Sequence, residues 1–339
     1  MKDENTNLLK ARTFAEMREA LKTMPKPKYL YRGITEKSFG LIFGPAKSGK
    51  SIFCENLAMS IAVGRDNFLG TKLDGKPKKT LFIGLEEFWT ARVQRNVEQY
   101  KSLSQEEMAL YDINYLYQEI NFPTHIITEK HWSNIQEIII NSKAEVVIID
   151  SITRLNTKKL EDSSNAEKIT KKLRGIAYDL GVTLICIHHT HKLRDCNITM
   201  DSIKGSGTFA QESDFAIGVS RSSRGHRYFK DIMYRYAQDD DQTAHEFEID
   251  ATCIIEKTGE CEEDELLNRT DGRRSKSKQN MVDYFESKPE DKFPITDLVV
   301  DFKNIFKLKE RSVKKYATEL FKEGIITNDK GVYQWKGQN

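Results

Sequence analysis

Apolar residues in this chain gather in short runs separated by stretches of helical spacing. The runs are "FGLIFG" (39–44), "TLFIGL" (80–85), "INYLYQ" (113–118), "EVVIID" (145–150), "VTLICIH" (182–188) and "DFAIGVS" (214–220). Strands alternating with helical segments predict an α/β fold, a parallel sheet with helices on both faces. Two later segments, "RYFKDIMYRYAQ" (227–238) and "HEFEIDATCIIEK" (245–257), alternate differently and predict an antiparallel pair. Ahead of the first run, residues 8–24 have the spacing of an amphipathic helix, ended by the breaker "PKPK" (25–28).

The pattern divides the 339 residues into an N-terminal helix and arm (1–32), a large α/β domain (33–267), a polar linker (268–279) and a small module (280–339). Lys+Arg number 53 against 51 Asp+Glu, so no overall basic excess marks a nucleic-acid binder. The charge is unevenly placed. Asp239 to Leu267 carries 12 acidic and 1 basic residue, and Asn268 to Asn339 carries 16 basic and 11 acidic. That asymmetry predicts a basic module behind an acidic connector. Five cysteines without CxxC spacing fit a reducing compartment. The polar N-terminus and the lack of a long apolar run predict a soluble, cytoplasmic chain without a membrane span.

The candidate chemistry begins at "GPAKSGKS", which is G-x-x-x-x-G-K-[ST] without deviation. It lies between a predicted strand (39–44) and a predicted helix (51–64), as a phosphate cradle requires. Gly44, Pro45, Ala46, Lys47, Ser48 and Gly49 would turn backbone N–H groups toward phosphates at the positive end of the helix. Lys50 would reach the β- and γ-phosphates of ATP, and the Ser51 hydroxyl would ligate Mg²⁺. "VVIID" places Asp150 at a strand end, where it would hold the Mg²⁺ hydration shell. The next residue is Ser151 rather than a glutamate, so the group that activates water must come from elsewhere. Glu86 and Glu87 end the strand that follows the phosphate loop, and parallel strands bring their C-terminal ends together around the nucleotide. Glu86 is the expected base, with Glu87 the alternative. In "CIHHTHK" (186–192), His188 and His189 end a strand expected beside the loop and suit a γ-phosphate sensor.

The order of phosphate loop, strand-end Glu86, "VVIID", "HHTHK" and "GSGTFAQESDFAIGVSR" (205–221) resembles that of RecA-fold ATPases of the plasmid RepA-type helicase group, the AAA_25 family, over about residues 25–257. The resemblance implies a RecA-like P-loop NTPase fold, ATP and Mg²⁺ as cofactors, and a homo-oligomeric ring, taken as a hexamer. It assigns Gly44, Lys50 and Ser51 to phosphate and magnesium, Glu86 to the base, Asp150 to magnesium and His189 to the sensor. It also implies an arginine on a late strand acting on the neighbouring subunit, for which Arg235 is first and Arg221 second.

Two loops that follow the catalytic strands would face the ring centre. They carry Lys158, Lys159, Lys192, Arg194 and Lys204, suited to a single-strand DNA backbone. In the tail, three predicted helices and a hairpin around "NDKG" resemble a winged helix, whose third helix enters the major groove of duplex DNA. Lys309, Arg311, Lys314 and Lys315 lie on that helix's face, and Lys330 at the wing. The sequence thus predicts an ATP-hydrolysing, ring-forming DNA motor, a replicative helicase-like protein of a plasmid or mobile element. The alternative is a nucleotide-switched DNA-binding regulator or loader with slow hydrolysis and no unwinding.

Overall fold

Runs that are apolar at every position can be strands only where both faces are covered. They form one nine-stranded sheet in a computed structural model, which describes residues 11–24, 28–155, 163–193, 195–203, 207–238, 242–267 and 276–337. The strands are β1 (Phe39–Gly44), β2 (Thr80–Gly84), β3 (Tyr115–Tyr117), β4 (Val146–Asp150), β5 (Thr183–His189), β6 (Phe215–Arg221), β7 (Arg227–Tyr234), β8 (Thr243–Ile249) and β9 (Ile255–Glu262). Their spatial order is β9-β8-β7-β6-β1-β5-β4-β2-β3. From β6 to β3 all neighbours are parallel, and β7, β8 and β9 extend the sheet antiparallel from β6. The segment expected as one strand (245–257) breaks in two. Asp250 accepts from the Thr252 and Ile254 amides at 2.9 and 2.8 Å and turns the chain between β8 and β9.

Helices cover both faces. They are α1 (Phe14–Thr23), α2 (Lys50–Ala62), α3 (Trp89–Tyr100), α4 (Gln105–Asn114), α5 (Glu129–Ser142) and α6 (Ser163–Leu180), followed by the short α7 (Thr208–Glu212) and α8 (Glu263–Leu266). The strand period of two sorts the core. Val147 and Ile149 of β4 join Leu41 and Phe43 of β1 beneath Ile135, Ile139 and Leu173 of α5 and α6. Val146 and Ile148 point the other way, toward Phe53 and Leu57 of α2 and Tyr111 of α4. Tyr31, in the expected N-terminal arm, is fully buried within this second core, so the arm's last residues pack as part of the body. α1 differs. A Thr13–Glu16 capping box starts it, yet none of its residues is buried, and Phe14, Met17 and Leu21 are exposed along one side.

The C-terminal segment has a core of its own. α9 (Lys276–Glu286), α10 (Ile295–Phe306) and α11 (Glu310–Lys322) enclose Phe285, Leu298, Phe302, Val313 and Leu320. Strands β10 (Lys292–Pro294), β11 (Ile326–Asp329) and β12 (Val332–Trp335) close it as a small antiparallel sheet. Lys330 and Gly331, with φ of 49° and 87°, make the turn between the last two strands. The predicted linker is shorter than expected, because α9 already starts at Lys276; residues 268–275 lie outside the described residues. Among the described residues, three contacts tie α11 and its N-cap, Lys309, to the acidic end of the body. Lys309 meets Glu260 at 3.4 Å, Lys315 meets Glu265 at 2.9 Å, and the Tyr316 hydroxyl donates to Glu262. Among the described residues, no helix is long and apolar enough to cross a membrane.

Candidate active site

The parallel strands end together, and the candidate residues sit on those ends. Gly44 of β1 lies beside His189 of β5, and Asp150 of β4 lies beside Gly84 of β2. The loop from Pro45 to Ser48 leaves β1 and enters α2 through Gly49, whose φ of 103° is the left-handed conformation glycine tolerates. Gly44 is required for a different reason. A Cβ there would fall 1.8 Å from the Val219 carbonyl oxygen of β6. No side chain caps α2, so its first-turn N–H groups face the loop's concavity, the arrangement that receives phosphate. Lys50 is 5 % exposed and donates to the Pro45 carbonyl at 2.8 Å. Burial pulls its pKa down to about 8, against the opposing charges of Asp150 and Glu86.

Ser51 and Asp150 meet directly, with the hydroxyl donating to the carboxylate at 2.7 Å. This hydroxyl–carboxylate pair beside the phosphate loop fits Mg²⁺, which takes one or two protein oxygens and completes its shell with phosphate and water. Behind the pair lies Arg92 of α3, buried against the Phe82 ring, with its Nη2 3.6 Å from Asp150. Gly84 makes room for it: a Cβ on that glycine would come 1.6 Å from Arg92 Nη1. Burial pushes the Asp150 carboxyl up, while Arg92 and the Ser51 hydroxyl pull it down.

The two glutamates separate cleanly. Glu87 takes two hydrogen bonds from Arg95, at 2.9 and 2.6 Å, and Arg95 also grips the fully buried Glu55. Glu87 is thus bound into a structural ion-pair network. Glu86 instead faces the loop and accepts hydrogen bonds from Ser151 and from Thr153, the latter at 2.5 Å. His189 Nε2 stands 3.2 and 3.3 Å from its two carboxylate oxygens. Burial acts to raise the Glu86 pKa, but the bonds from His189, Ser151 and Thr153 outweigh it and hold the carboxyl at about 2. Glu86 is therefore an ionised acceptor at neutral pH, close enough to Lys50 and Asp150 for its charge to act on both.

The sequence profile of the AAA_25 family, an AAA domain, matches residues 6–195, more than half of the chain. The chain belongs to the AAA_25 family. It is a RecA-like P-loop ATPase by that membership and by its mostly parallel central sheet. No curated protein matches it in sequence.

In this AAA_25 ATPase the constellation assembles where β2, β4 and β5 end, carrying Glu86, Asp150 and His189, beside the start of α2, which carries Lys50 and Ser51. Three partners were not legible beforehand. Ser151 and Thr153 lie just past Asp150 in "DSITR", where hydroxyls two apart were the available signal. Arg92 needed α3's packing to reveal it, although Glu55, a carboxylate in the middle of the mostly apolar α2, pointed to a buried cation. Arg235 lies at the opposite end of the sheet from the phosphate loop. Its Nε is 3.2 Å from the buried Asp214, and its Nη2 donates to the Gln211 carbonyl at 2.9 Å. Arg221 ends β6 beside the loop. Lys192 is exposed near Lys47, whereas Lys158, Lys159, Arg194 and Lys204 lie outside the described residues. On α11, Lys314 pairs with Glu310 of its own helix, Lys315 with Glu265 of the body, and Arg311 is exposed.

Proposed function

We propose that this ATPase is a ring-forming DNA motor of the helicase type, serving replication of a plasmid or mobile element in the cytoplasm. The observation that carries the reading is Glu86. It is an ionised carboxylate held by two hydroxyls and His189, facing a phosphate loop with Lys50 and the Ser51–Asp150 pair. Lys50 and the loop N–H groups hold the triphosphate of ATP, and Glu86 orients a water in line with the γ-phosphate. Mg²⁺ bound at Ser51 and Asp150 would neutralise charge developing on the phosphates. His189 touches both Glu86 oxygens, so any change in what Glu86 binds alters its contact and reaches the loop that follows β5. That loop carries Lys192, Arg194 and Lys204, three of the residues assigned to single-stranded DNA.

The ring is a proposal supported by α1, whose unburied apolar side suits a second copy of this chain. Arg235 would then act across the subunit boundary after leaving Asp214. The tail's three helices and hairpin resemble a winged helix, and duplex binding is its proposed role. One observation favours the second reading, a nucleotide-switched regulator or loader. Lys309 and Lys315 are already paired with Glu260 and Glu265, so duplex phosphates must displace the body's carboxylates to reach them. Forked-DNA unwinding, run beside ATP hydrolysis with and without single strand, separates the two. Strand-stimulated hydrolysis with unwinding supports the motor. Duplex binding with slow, strand-independent hydrolysis supports the regulator.

A further inference from the structure

The γ-phosphate end of the site lies on one side of β1, where β5, β4 and β2 carry His189, Asp150 and Glu86. A nucleotide gripped by the loop must therefore run its sugar and base toward the other side, where β6 and β8 end and β7 begins. Two side chains stand there against the loop. Measured from the position a Cβ would take on Gly49, Ile249 Cδ1 lies at 3.1 Å, Arg227 Cδ at 3.6 Å and Arg227 Nε at 3.8 Å. Ile249 ends β8, and Arg227 opens β7 directly opposite Arg221, the last residue of β6. The wall is anchored. The Cys253 carbonyl, in the turn after Ile249, accepts from Asn56 of α2 at 2.9 Å and from Gln99 of α3 at 3.0 Å.

Arg227 is unusual in its surroundings. Among the described residues, its Nε is buried without a hydrogen-bond partner. Burial and then the charge of Arg221 lower its pKa. Arg227 is half-buried beside the exposed Arg221, and its Nε has no acceptor, so an electron-rich group belongs beside it. The loop N–H groups and Lys50 already serve the phosphates. A planar guanidinium next to an aliphatic side chain instead suits the face of an aromatic ring.

We propose that Arg227 and Ile249 form the nucleobase wall of the ATP site, the base stacking on the guanidinium plane and against the Ile249 side chain. The proposal rests on the nucleotide-binding reading above and adds which residues receive the nucleoside. Its test compares two ligands that share phosphates and differ in the base, Mg²⁺–ATP and Mg²⁺–tripolyphosphate. Both are titrated calorimetrically into the full chain. Arg227→Ala should weaken ATP about 3- to 30-fold while changing tripolyphosphate less than about 2-fold. Arg227→Lys keeps the charge without the plane and should restore only part of the loss. Ile249→Ala, which spares the arginine, should weaken ATP selectively and guards against a misfolded Arg227 variant. Equal losses for both ligands would make Arg227 a phosphate contact and overturn the proposal, as would unchanged ATP affinity. Failure of the unaltered chain to bind either ligand would instead remove the nucleotide-binding reading itself.

Discussion

Glu86→Gln isolates the attack on water from nucleotide binding. The carboxylate accepts from Ser151, Thr153 and His189, and its pKa falls from 4.5 to about 2, so at pH 7 it is fully ionised. The amide removes the charge and offers one acceptor oxygen in place of two. General-base contributions run about 10²- to 10⁴-fold, or roughly 3–5 kcal/mol of barrier. The variant should lose kcat by that factor, while its affinity for ATP stays within about 2-fold, because the role proposed for Glu86 is on the water rather than on the ground-state phosphates. The assay is steady-state phosphate release beside equilibrium nucleotide binding. The sign of the pH effect follows from the depressed pKa. Any stability and acceptor function owed to the ionised carboxylate are complete above about pH 4.5 and vanish only as pH falls toward 2. No acid limb of kcat between pH 5 and 7 should therefore disappear in Glu86→Gln. Near-normal hydrolysis by this variant would refute the assignment and return attention to Glu87.

Lys50→Met should abolish ATP binding yet raise the urea midpoint. A buried cation with its pKa pulled from 10.5 to about 8 destabilises the nucleotide-free fold by up to ~3 kcal/mol at pH 7, an unfavourable contribution that fades as pH rises through 8 toward 10.5; a lower midpoint would contradict this. Arg92→Met should lower stability by about 3 kcal/mol in urea unfolding, since Asp150 loses its nearest cation inside the protein while Glu55 keeps Arg95; a loss under 1 kcal/mol would show that the buried charges are neutralised some other way. Glu260→Gln with Glu265→Gln should tighten duplex DNA binding by the full chain and steepen its log–log salt slope by up to about two, as Lys309 and Lys315 become free for phosphate. An unchanged slope in fluorescence anisotropy would mean that those lysines never reach DNA. Met17→Asp with Leu21→Asp should shift the assembly toward monomer in sedimentation without lowering the melting temperature, because both side chains are already exposed; an unaltered oligomer would exclude α1 from the subunit contact.

Local chemistry alone determined much of this protein. A strand, a glycine-rich turn and a helix at fixed spacing placed Lys50 and Ser51, and an apolar run ending in aspartate placed Asp150, because each motif carries its own backbone geometry. Parallel strands ending at one edge were enough to nominate Glu86. Its place at the strand end already favours Glu86 over Glu87, and the tertiary structure shows what holds each carboxylate. The two are adjacent in sequence and point opposite ways, and only the packing of α3 gives Glu87 to Arg95 and Glu86 to Ser151, Thr153 and His189. The same holds for Arg92, which reaches Asp150 only because Gly84 leaves room above β2. Net charge along the chain foretold an acidic stretch and a basic tail, but not that one would lie on the other. That outcome depends on where β9 ends and how α11 turns, a long-range geometry that no local periodicity encodes. Arg227 and Ile249 are the extreme case: they sit far from Gly49 in sequence and come to it through the antiparallel extension of the sheet.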